Sequence, residues 1–105
     1  EVTNTAGSAY SAGGKALTNS GVTTSTVTSH TDFADLSVAN GTAWTSASFT
    51  TRGCLIYNTT AVSGFTTNRA VCSIDFGGDK TVSNGTFSIE FPTNSSSAAI
   101  IRLTS

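Results

Sequence analysis

The sequence predicts an all-β domain: an antiparallel β-sandwich or barrel-like fold of about six to eight short strands, behind an extended N-terminal arm. Three observations predict it. Apolar and polar residues alternate strictly along Thr86 to Phe91, and Ala70, Cys72, Ile74 and Phe76 repeat the pattern against Val71, Ser73 and Asp75, the two-residue period that lines one face of a strand. Turn-forming clusters such as Gly77-Gly78-Asp79-Lys80 and Asn40-Gly41 punctuate these runs at short intervals. Roughly a third of the residues are Ser or Thr, and β-branched Thr favours the half-buried surface of a sheet.

Length and composition bound the reading. A chain of 105 residues is one domain. Only 10% of residues are charged while 37% are hydrophobic, a balance that argues against disorder. A net charge of −1, with Arg52, Arg69 and Arg102 far apart, offers no footprint for nucleic acid. No apolar run approaches the ~20 residues of a membrane-spanning helix. Four glycosylation sequons, at Asn40, Asn58, Asn84 and Asn94, carry no weight, because hydroxyl residues are so frequent that two or three would arise by chance.

In chain order, residues 1–14 are small, polar and Gly-rich, with Tyr10 as the one large side chain. They read either as a flexible terminus or as an arm ordered on a neighbouring subunit with Tyr10 as its anchor. Residues 15–105 form the β domain. A turn is expected at Asn19-Ser20-Gly21, then a strand around Val22 to Ser29. Phe33 to Val38 is assigned to a strand, against a competing helical turn, and Asn40-Gly41 to a hairpin. Trp44 and Phe49 would fall on opposite faces of a continuous strand, so either a bulge intervenes or one aromatic is exposed to a partner, with core packing of both preferred. Gly53 to Tyr57 reads as a strand buried on both faces. Asn58 to Asn68 reads as a loop with Phe65 at its tip. Ala70 to Phe76 and Thr86 to Phe91 are expected to pair as a hairpin about Gly77-Gly78, and Pro92 ends that strand. Ala98 to Leu103 is the last strand.

The chemistry-bearing residues are sparse. The single His30 stands in a Thr/Ser run and reads as a solvated side chain; Asp32 and Asp35 lie near it, but no Gly-x-Ser-x-Gly elbow accompanies them. Two cysteines and one histidine do not supply a zinc site. Asp75 and Asp79 flank two glycines without the spaced oxygen ligands of a calcium loop, so they are assigned to a turn. Cys54 and Cys72 fall in strands that could pair; a disulfide stays open as a reading, and two free thiols packed as small hydrophobes are preferred. No enzyme activity, cofactor or metal is expected.

The segments Arg52 to Asn58, Ile74 to Gly78, Phe87 to Pro92 and Ala99 to Leu103 (RGCLIYN, IDFGG, FSIEFP and AIIRL) resemble strands of small virion structural proteins of tailed bacteriophages. The resemblance covers about half of the chain and is carried by fold-forming motifs. It implies a capsid decoration (cement) protein, a homotrimer that clamps neighbouring major-capsid subunits on the outer surface of the phage head after assembly in the bacterial cytoplasm. Tyr10, Trp44 and Phe65 are then the expected partner-binding residues. The alternative is a tail- or fibre-associated β module that recognises a host surface glycan. A secreted adhesin-like domain would require the Cys54–Cys72 bond, and an enzyme would require a cleft around His30.

Overall fold

The structure, a computed structural model, describes Val2, residues 9–65 and residues 67–105. Among these residues there are five strands and no helix: β1 (Asn19–Thr24), β2 (Thr28–Phe33), β3 (Trp44–Asn58), β4 (Arg69–Phe87) and β5 (Ile101–Thr104). They form two antiparallel sheets, a three-stranded one in the order β1-β2-β5 and a two-stranded ribbon of β3 and β4. The all-β, antiparallel reading therefore holds. The strands number five rather than six to eight because β3 and β4 run through positions where the sequence signals a turn.

The largest correction concerns Gly77-Gly78. These glycines do not reverse the chain between two paired strands; β4 continues through them along β3. The ladder passes from Gly53↔Asp75 to Thr51↔Lys80, so Phe76 to Asp79 bulge out opposite Arg52. Asp75 Oδ1 accepts the Gly77 N–H at 2.8 Å and Gly77 holds a φ of 78°, which is turn chemistry used inside a strand. Arg52 reaches Asp79 across the bulge at 3.8 Å, an exposed pair that contributes little energy. The bulge also switches the core-facing set, from Phe49 and Val82 on one side to Ile56, Ile74 and Phe76 on the other.

A second irregularity answers the question posed by Trp44 and Phe49. The register shifts between Trp44 and Ala47 and again between Ala47 and Phe49. Ser46 and Asn84, one on each strand, take positive φ values of 52° and 47° there, and the Asn84 N–H donates to Ser48 Oγ at 2.8 Å. Each extra residue turns the following side chains over. Trp44, Phe49 and Phe87 thereby meet on one face, with ring centroids 5.0–6.3 Å apart.

Other expectations are adjusted in the same way. The run from Gly53 to Tyr57 is not buried on both faces: Ile56 is buried, but Leu55 is 57% exposed because the ribbon is covered on one side only. Phe33 closes β2, and Leu36 forms a single bridge with Ile89 in place of a strand. Asn40-Gly41 makes a turn, with the Gly41 N–H on the Val38 carbonyl at 3.0 Å, but the turn leads into β3 and closes no two-strand ladder. The last strand begins at Ile101, after a turn in which the Ala99 N–H donates to the Ser95 carbonyl.

The core sits under the ribbon. Leu36, Trp44, Ala47 and Phe49 form its buried cluster, and Val2, Tyr10, Leu17, Val82, Phe87, Ile89 and Phe91 pack around it. The molecule is extended, measuring 50 × 35 × 25 Å with a radius of gyration of 15.5 Å. A compact chain of this length would have a radius near 13 Å. Its accessible surface is 6788 Å². Size scaling for a folded monomer of this mass gives roughly 5,500 Å², so about 1,300 Å² is in excess.

Candidate functional site

Residues Tyr10 to Leu17 build a surface feature held by ring contacts and a hydrogen bond. Tyr10 stacks on Trp44 at 6.2 Å and meets Phe49 edge-on at 5.7 Å. Gly13 and Gly14 follow with φ values of 92° and 76°, a backbone course that other residues rarely follow. Tyr57 on β3 donates its hydroxyl to the Gly13 carbonyl at 2.7 Å. Residues Tyr10 to Leu17 thus form a strap across an apolar groove of about 670 Å³, which the aromatic cluster and the core-facing residues of the ribbon line. Lys15 extends over the Trp44 ring, with its ammonium 6.0 Å from the centroid.

The three residues expected to bind a partner have different fates. Trp44 is only 6% exposed. It is a core residue rather than an exposed contact, because the paired bulges turn it onto the face that Tyr10 covers. Tyr10 is half-buried on this chain's own core. Phe65 is 68% exposed at the end of the β3–β4 ribbon, where the Arg69 guanidinium lies 5.8 Å from its ring. The structure does not bring Phe65 together with Tyr10 and Trp44.

His30 departs from its solvated reading. It is half-buried on β2, with Nδ1 buried and without a hydrogen-bond partner among the described residues. Asp32, two residues along on the same face, is 1% exposed; its Oδ1 accepts the Phe33 N–H at 2.8 Å while Oδ2 has no partner among the described residues. Asp35 accepts the Phe91 N–H at 2.7 Å and so ties the chain after β2 to the chain after β4. No group of three or more His, Cys, Asp or Glu side chains converges among the described residues.

Cys54 and Cys72 are free thiols, both half-buried. Cys54 pairs with Ile74 and Cys72 with Ile56, so the cysteines sit diagonally on one face, two residues out of register. Burial, and secondarily Cys72, pushes the Cys54 thiol above its ordinary pKa of 9.0. That makes it a packing group rather than a nucleophile at neutral pH.

Exposed apolar side chains gather on the other sheet. Val22, Thr31 and Ile101 form one cross-strand row and Thr24, Ser29 and Leu103 the next, all on one face. Val22 is 68% and Leu103 72% exposed, and Val27, 58% exposed, stands in the adjoining turn. Sequence reasoning missed this surface. Among β1 and β5 residues its apolar members are separated by some eighty positions, and only the strand order places them together.

In comparisons with known proteins, no family model, no curated protein and no solved structure matches this chain.

Proposed function

We propose that this chain is a structural subunit of a bacteriophage virion, a capsid decoration protein that packs against the major capsid protein and stabilises the expanded head. The observation that carries the reading is the surface excess of about 1,300 Å² over a thin core. Excess of this size matches what a protein buries in a standard interface or two, about 800 Å² each. The resemblance of the strands from Arg52 to Leu103 to small phage virion proteins supplies the class of assembly. In the assembled state the two sheets complete a sandwich-like layer against neighbouring subunits. Binding that favours the expanded shell stabilises that state by linkage.

The test is the copy number of the chain in purified particles, measured by quantitative peptide mass spectrometry against the major capsid protein. Copies on the order of hundreds, in fixed ratio to the shell, are expected, because only the shell repeats one site so often. Absence from particles overturns the reading. A few tens of copies would transfer the chain to the tail, where exposed Phe65, in the loop between β3 and β4, offers a stacking ring for a glycan.

A further inference from the structure

The three-stranded sheet has two outer edges, and they differ. At β1 the register shifts between Asn19 and Val22, and Gly21 takes a φ of 83°. Asn19 Oδ1 and the Gly21 carbonyl at this bulge take up the Gly21 N–H and the Thr31 hydroxyl, at 2.7–3.2 Å. A bulge of this kind twists an edge away from pairing and blunts it.

β5 has no such protection. Its four residues pair with β2 from Thr28↔Thr104 to Thr31↔Ile101 without a shift, and among the described residues no strand lies beyond it. It contains no proline and one charge, Arg102. That charge does not guard the edge, because the guanidinium turns back to the Ser97 and Ser96 carbonyls of its own chain, at 2.8 and 3.5 Å. Regular edges whose charge is turned away, with exposed apolar neighbours, invite pairing with another strand.

We infer that β5 pairs with β5 of a second copy, antiparallel about a two-fold axis, joining two three-stranded sheets into one of six. An antiparallel edge is its own complement, which favours a copy of this chain over an unrelated partner. Leu103 opposite Leu103 of the second copy sets Arg102 opposite Thr104, so no like charges face each other. The same register sets the two Leu103 side chains next to each other across the axis, on the face that Val22 and Ile101 share. The surface excess of about 1,300 Å² exceeds the roughly 800 Å² that each partner contributes to a stable dimer. The inference does not require the virion reading, although both draw on the surface excess, and it differs from the three-fold association that the resemblance implies.

Sedimentation equilibrium of the purified chain, from roughly 1 µM to 1 mM, tests it over the range in which weak interfaces form. The expected mass rises from one chain to two. Leu103→Lys, at an exposed position that leaves the fold intact by circular dichroism, is expected to hold the mass at one chain. A single-chain mass throughout, a three-chain mass, or undiminished association of the Leu103→Lys chain would overturn the inference. A second measurement uses Leu103→Cys in a Cys54→Ser, Cys72→Ser background with glutathione disulfide as the oxidant. It is expected to give a covalent dimer, whereas Val22→Cys on the blunted edge stays monomeric. Equal cross-linking from both positions would count against β5 as the seam.

Discussion

Gly53 has its place because a side chain there would collide with backbone. A Cβ added to it would stand against the Ile74 carbonyl oxygen of the paired strand, where neither partner can swing aside. We expect Gly53→Ala to destabilise the chain by about 1–3 kcal/mol, the cost of overpacking, read as a lower urea midpoint with an unchanged slope. Cys54 makes a second single-residue case. Its folded pKa is raised, so the unfolded chain loses the thiol proton first as pH rises. Its contribution to stability is therefore complete below the ordinary thiol pKa of 9.0 and declines as pH rises through the folded value. Alkylation by iodoacetamide at pH 8 is expected to be slower at Cys54 in the folded chain than in the same chain unfolded in urea. Equal rates would mean that burial does not protect it.

At the scale of elements, the ribbon and the strap depend on each other. Only one face of β3–β4 is covered, and Tyr10 closes that cover by contacting Trp44 and Phe49 together. Tyr10→Ala removes both ring contacts. It is expected to cost about 1–3 kcal/mol and to shift Trp44 fluorescence to longer wavelength as water reaches the indole. Unchanged stability would show that the strap lies on the ribbon without supporting it. Deleting residues 1–14 would uncover the same rings, so loss of shell binding after that deletion has to be read beside a stability measurement. The element boundaries that the sequence missed share one cause. Glycine pairs and Asx turns signal a local change of backbone direction, but the same chemistry serves a reversal and a bulge. At Gly77-Gly78 the strand had a long partner in β3 on both sides, and continued pairing prevailed.

For the whole molecule, the balance of core and surface leads to both assembly experiments. Among the described residues the buried apolar set is Leu36, Ala43, Trp44, Ala47, Phe49, Ile56 and Ala99, three of them alanines. So few large groups bury little area, and at about 25 cal/mol per Å² they leave a marginal margin for a chain of this length. Association would add burial where the monomer lacks it. We therefore expect the melting temperature to rise with protein concentration over the range in which the two-chain mass appears, and to stay flat for Leu103→Lys.

The alternation Cys72/Ile74/Phe76 determined on its own that this stretch forms a strand with one apolar face, and the observed burial follows it. Phe87, Ile89 and Phe91 keep the same burial alternation, but β4 ends at Phe87 and Ile89 makes only an isolated bridge. The exposed loop with Phe65 at the ribbon's end and the two thiols in neighbouring strands were legible for the same reason: strand period and turn composition are local properties. Only the tertiary structure decided that Trp44 is interior, that Tyr10 lies on its own chain, and that β5 is an outer strand of its sheet among the described residues. Each of these depends on register and strand order. They are settled by which distant residues pair, and no period within a single segment encodes that choice.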